Sequence, residues 1–148
     1  MKRKAFTLIE IMIVVGIIAL LASLAIPNFL RARIQANEGV TQQALKSIAS
    51  AEIAFRTSNA VYATLAELGA ASPPYIDSIL SSGDRSGYTF TITDLNNDST
   101  FHCSAKPNIP GITGVRSFCI TEDGVVRFQV AGGDIANRAA CLLLPPTI

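Results

Sequence analysis

Residues 1–33 read MKRKAFTLIEIMIVVGIIALLASLAIPNFLRAR, and whether this segment is a helix that leaves water decides the fold of everything after it. From Ala5 to Leu30 the one charged residue is Glu10, and every other acidic residue lies beyond Arg31. The 25 residues from Phe6 to Leu30, rising about 1.5 Å each in a helix, would span a hydrocarbon core of about 30 Å with some to spare. The positive-inside rule, applied to MKRK at a chain start, predicts that the basic end stays in the cytoplasm while the remainder is exported.

Glu10 separates three readings of this run. A secretory signal peptide would use MKRK as its basic region and the small-x-small triplet Ser23-Leu24-Ala25 as its cleavage site, releasing a soluble exported module that begins at Ile26. A plain transmembrane anchor would keep the segment. Neither gives Glu10 a purpose, and a charge inside a spanning helix costs about 2.5 to 3.5 kcal/mol at its centre, less near an end. The third reading supplies a partner. Cleavage between Ala5 and Phe6 would expose an α-amino group, positive near neutrality, that can meet Glu10 of an adjacent helix where the attraction is weakly screened. The carboxylate then sets subunits in register.

The stretch KAFTLIEIMIVVGIIALLASLAIP, residues 4–27, resembles the N-terminal signature of type IV pilins and of the related type II secretion pseudopilins, with Phe6, Thr7, Glu10 and Pro27 at family spacing. The resemblance implies removal of leader residues 1–5 by a prepilin peptidase, N-methylation of Phe6, and assembly of the helices into a filament core. It implies a structural subunit of the type IVa kind, held in the inner membrane with lipid as its first partner. Inner-membrane assembly machinery would then build it into an extracellular filament of its own copies. A pseudopilin of a type II secretion system is the alternative within the family. Two positions depart from the pattern: Ala5 stands where glycine usually precedes the cut, and Ala19 where a helix-loosening glycine is common, with Gly16 three residues earlier. Glycine weakens a helix by about 1 kcal/mol relative to alanine, so any unwinding on assembly is displaced toward Gly16.

Pro27 lacks an amide hydrogen and clashes with the preceding turn, which predicts a kink. Beyond Arg31 apolar residues recur at Ile34, Val40, Ala44, Leu45, Ile48, Ala51 and Phe55, with Arg33, Gln35, Glu38, Gln42, Lys46 and Arg56 on the other faces. A single helix from Phe6 to Thr57, about 78 Å long, is therefore predicted: apolar over 6–30 and amphipathic over 31–57. Residues 58–87, rich in Gly, Ser, Pro and Asp, read as a connector with a helical turn around Thr64 to Leu68.

The globular part, 31–148, closes with a sheet and tail over 88–148. YTFTIT alternates with Tyr88, Phe90 and Ile92 on one face, and further strands are predicted at TFHCSA, RSFCIT and VVRFQV, the last two joined by a turn at Asp123-Gly124. About four antiparallel strands covering the amphipathic stripe make the class α+β.

Three cysteines, Cys103, Cys119 and Cys141, fit an exported domain with one disulfide and one spare thiol. If Phe118 and Ile120 face inward, Cys119 faces out, whereas Phe101 and Cys103 share a face, which makes a Cys103–Cys119 bond awkward. The pilin resemblance implies Cys119–Cys141 instead, pinning the C-terminal tail to the sheet and leaving Cys103 as a buried thiol. That loop would contribute about 3 kcal/mol.

No metal, cofactor or catalytic site is read from the chain. The lone histidine, His102, is taken as a strand residue on the polar face, and with neighbouring Cys103 it does not assemble a zinc set. GxSxG, GxxxxGK[ST] and HExxH are absent from the sequence. Asp94, Asn96 and Asp98 alternate as in a calcium loop, but Ser99 and Ala105 occupy the positions that need glycine and glutamate, so a hairpin turn is expected. Lys2, Arg3 and Lys4 supply three of the twelve basic residues against eleven acidic ones, so the body is mildly acidic and offers nucleic acid no footprint.

Overall fold

A computed structural model of the chain describes residues 6–96, 99–130 and 132–147. Residues 1–5, the expected leader, and Asn97 and Asp98, where a hairpin turn is expected, lie outside the described residues. The chain divides into two compact units, with the boundary between Arg33 and Ile34.

Helix α1 runs from Leu8 to Asn59 with Pro27 inside it. It begins after Thr7 because that residue caps it, and it ends beyond Thr57, where the Asn59 side chain donates to the Phe55 carbonyl at 3.0 Å. In the first unit every described residue from Phe6 to Arg33 is exposed except half-buried Ala22. This is the one helix among the described residues long and apolar enough to cross a membrane, judged by length and composition. Near the proline, Asn28 Nδ2 donates to the Leu24 carbonyl at 3.1 Å and Ser23 Oγ to the Leu20 carbonyl at 2.7 Å. Both polar side chains are thus satisfied without leaving the helix.

In the second unit α1 buries Ala44, Leu45, Ile48, Ala49 and Ala51, the three-and-four spacing of an amphipathic stripe. Two expectations change here. Val40 is exposed, and Glu38, expected on an outer face, is buried together with Thr41 and Glu52. The buried stripe therefore includes polar groups, and each carboxylate takes backbone N–H bonds from another segment.

The connector folds more than its composition indicated. Helix α2 (Leu65–Ala70) starts with a reciprocal box in which Thr64 and Glu67 each accept the other's backbone N–H. Helix α3 (Ser78–Ser81) is capped by Asp77. Among the described residues five antiparallel strands follow in simple order: β1 (Asp84–Arg85), β2 (Tyr88–Asn96), β3 (Thr100–Pro107), β4 (Ser117–Thr121) and β5 (Arg127–Gln129). Two-residue β1 is the strand beyond the expected four. Pairing of Asn96 with Thr100 makes β2 and β3 a hairpin, and Asp123 Oδ1 accepts the Val125 N–H at 3.0 Å to shape the β4–β5 turn.

Tyr88, Phe90, Phe101, Cys103, Phe118 and Ile120 face the helix and close one core with Leu45, Ile48, Leu68 and Leu80. Across the sheet a smaller cluster of Cys119, Ile135 and Cys141 forms under helix α4 (Arg138–Leu142). Strand β4, flanked by β3 and β5, is consequently buried along its whole length. The polar-face expectation for His102 is corrected for the same reason: it is fully buried, because the C-terminal segment covers the face that simple alternation would leave wet.

Glu52 is fully buried in the main core. Its Oε2 accepts the Ala63 N–H at 3.0 Å, while Oε1 has no hydrogen-bond partner among the described residues. Burial, aided by the charge of Glu67 and opposed by the Ala63 N–H, pushes its pKa from 4.5 up to about 7. Between those values the folded chain holds a proton that the unfolded chain has released, so stability falls as pH rises through this window and then levels off. Urea denaturation from pH 4.5 to 8 is expected to show that decline, and Glu52→Gln to remove the part contributed by this carboxyl.

Candidate assembly segment and its anchorage

At the start of α1 the Thr7 and Glu10 side chains satisfy each other's backbone. Glu10 Oε2 accepts the Thr7 N–H at 2.9 Å and the Thr7 hydroxyl at 2.7 Å, and the Glu10 N–H donates to Thr7 Oγ1 at 3.3 Å. This is a capping box, which uses two of the amide donors that every helix start leaves over. Phe6 precedes it, fully in the open, and Ala5 lies among the residues not described. A carboxylate has about four lone-pair sites, so a cap that engages one oxygen leaves Glu10 capacity for a cation from another molecule. Phe6 and Glu10 were singled out from the lone charge in an apolar run, whereas the Thr7 cap was missed although T-x-x-E spells it.

Glu38 performs the second task, tying helix to sheet within the globular unit. Its Oε1 accepts the N–H groups of Val115 and Arg116, each at 3.0 Å, and Oε2 accepts Arg116 Nε at 2.7 Å and Nη2 at 2.6 Å. Burial pushes the carboxyl up, but the two backbone N–H groups and the Arg116 guanidinium bring it below its usual range. Arg116 also lies over the Phe118 and Phe128 rings, at 5.6 and 5.4 Å from their centroids. Its carbonyl accepts the Tyr88 hydroxyl at 2.9 Å. Gly114 is required beside that tyrosine, since a Cβ there would sit 1.8 Å from the Tyr88 oxygen.

Opposite the helix, Cys119 and Cys141 are bonded, with their Cα atoms 6.0 Å apart. Cys103 is the buried free cysteine, and burial in the core, with the charge of Glu52, raises its thiol pKa. Helix α4 has further fastenings. Asn137 caps it, Arg138 Nε donates to both oxygens of Glu122 at 2.8 and 3.0 Å, and the tail beyond it pairs with β5 and the residue before it through Phe128 N–H to Pro145 carbonyl, 3.2 Å, and Thr147 N–H to Val126 carbonyl, 2.8 Å. The structure also brings His102 beside the disulfide, with a ring nitrogen and both sulfurs within 4.8 Å of one another. Sequence spacing gave no hint of that, because the three residues come from β3, β4 and α4.

Residues 1–26 match the family described as the prokaryotic N-terminal methylation motif. The chain is 35% identical over 88 residues to the type IV major pilin protein PilA of Myxococcus xanthus, a stretch that is 59% of this chain and 36% of that protein. It is 41% identical over 77 residues to the type IV wide pilus major component PilA4 of Thermus thermophilus, covering 49% of this chain and 59% of the relative. To the narrow pilus major component PilA5 of the same organism it is 33% identical over 109 residues, 72% of this chain and 83% of the relative. The chain thus spans about a third of PilA and under two thirds of PilA4.

The Glu38 clamp has a measurable signature. Glu38→Ala leaves the Val115 and Arg116 N–H groups without their acceptor and is expected to cost about 2 to 3 kcal/mol, seen as a lower urea midpoint at unchanged slope. Arg116→Met retains both backbone bonds and should cost less. The lowered carboxyl pKa gives the clamp full effect above the ordinary 4.5, with loss as pH falls through the folded value, so the midpoint difference between Glu38→Ala and the parent should shrink in acid.

Proposed function

Since the chain belongs to the type IV pilin family, we propose that it is a structural subunit of a type IV pilus, polymerising through the apolar first half of α1. The reading rests chiefly on the run from Phe6 to Leu30, exposed on every side of the helix. A helix without a polar face is stable in lipid or among others of its kind, and a pilin uses both settings in turn. In the first, the subunit waits in the inner membrane with its globular part outside. In the second, copies pack their helices together in an extracellular filament.

A prepilin peptidase cuts after Ala5 and the new amine of Phe6 is methylated, consistent with the motif matched over residues 1–26. The division of labour follows: 1–5 is the leader, 6–30 the membrane and filament-core segment, and 31–148 the globular domain. The Phe6 amine is then a cation at the head of an oily helix, and Glu10 of a neighbouring copy is its counterion. Before assembly the Thr7 cap keeps Glu10 hydrogen-bonded inside its own chain, reducing the cost of holding a carboxylate near the edge of a bilayer. Assembly exchanges or shares that cap for an ion pair in a low-dielectric setting.

The relatives favour the pilus over the secretion pseudopilus, because all three are named for pili. They are structural components, and the chain is read as one too.

Two measurements test this reading. Intact-mass and N-terminal analysis of the protein from cells is expected to find a mature chain starting at Phe6 and one methyl group heavier than its sequence, whereas a start at Ile26 or an intact leader overturns it. Glu10→Ala is expected to remain in the membrane fraction yet give few or no filaments by electron microscopy. Normal filaments from that variant would remove the proposed counterion.

A further inference from the structure

We propose that Cys119, Cys141 and His102 form a binding site for one thiophilic divalent cation of the zinc and cadmium class when the two cysteines are thiols, an occupant that excludes the disulfide. The site needs no remodelling of the fold. The two sulfurs and a histidine ring nitrogen already lie within 4.8 Å of one another. Bonds of about 2.3 Å to sulfur and 2.0 to 2.1 Å to nitrogen require donor separations of roughly 3.3 to 4 Å. Small side-chain rotations that part the sulfurs reach this range.

Three features make the grouping more than proximity. All three residues are fully buried, and two thiolates with one divalent ion carry no net charge, the combination a low-dielectric interior tolerates best. The imidazole is held by Thr93, whose Oγ1 lies 2.9 Å from His102 Nδ1, as outer-shell groups hold metal-ligating histidines. Above all, α4 does not depend on the S–S bond for its place. The Asn137 cap, the Arg138–Glu122 pair, buried Ile135 and the strand-like bonds of Pro145 and Thr147 to β5 also fasten the tail. Cys141 therefore stays over Cys119 with the disulfide open.

The chemistry balances without a redox partner in a chain that has not yet been oxidised. Both thiols lose their protons to solvent as the thiolates bind the ion, whose charge state does not change. Oxidation to the disulfide then requires the ion to leave, so a bound ion delays closure of the bond. A chain already oxidised enters the same state only after a phosphine or dithiol reductant delivers two electrons to the S–S bond.

The test uses the full chain in detergent, reduced with a phosphine that is then removed under anaerobic conditions and titrated with Cd²⁺. The readout is the ultraviolet sulfur-to-cadmium charge-transfer band. One ion per reduced chain is expected, with no band from the oxidised chain and unchanged stoichiometry in Cys103→Ser. Thr93→Val, which removes only the hydroxyl on the ring, is expected to weaken binding about 10- to 100-fold, and His102→Ala to weaken it further. The proposal is overturned if the reduced chain gives no band, if Cys103→Ser abolishes it, or if Thr93→Val binds as tightly as the parent. The threonine variant decides the matter even if His102→Ala fails to fold.

Discussion

The antiparallel sheet β1–β5 has two faces to keep dry, and this chain supplies a different cover for each. One face takes the amphipathic half of α1 with the connector helices, which close a core around Tyr88, Phe90, Phe101 and Phe118. The other takes the C-terminal segment around the Cys119–Cys141 bond. Strands buried on both sides lose the simple alternation of a half-wet sheet, and that single constraint explains the fully buried β4 and the burial of His102 in β3.

The helical cover is not purely hydrophobic. Glu38 and Glu52 both enter the buried stripe and both accept backbone N–H groups from segments remote in sequence, but they are handled in opposite ways. Glu38 meets a guanidinium and two amides and stays charged. Glu52 meets one amide, and burial favours its neutral form. Buried ionic groups are weak sources of stability compared with a well-packed hydrophobe, whereas each bonds a defined backbone atom. Glu38 fixes the 115–116 segment against the helix, and Glu52 fixes the start of the connector at Ala63, so their effect is to specify position.

Much of this was legible in the sequence where the signal was local and periodic. The long helix, the four principal strands and the Asp123-Gly124 turn follow from spacing and turn chemistry. The pilin resemblance led to Cys119–Cys141. What escaped was either short or non-local. Two-residue β1 and four-residue α3 are too brief to show a period, and the run RAACL of α4 carries no amphipathic pattern. Glu38 looked like a solvated charge because its partners, Val115 and Arg116, lie more than seventy residues away. At the start of α1, Phe6 and Glu10 stood out by composition, while the Thr7 cap shows in the spacing only to a reader looking for helix starts inside an apolar run.

The segment beyond α4 also settles what can happen at one border of the sheet. Pro145 and Thr147 lie along β5, and Arg127 bridges to Pro146. Neither proline has an amide hydrogen to offer a newcomer. Rims of this kind resist unwanted ribbon growth from molecule to molecule, a hazard for any protein stored at high local density. On this border, crowding many copies together does not invite them to knit their sheets into one.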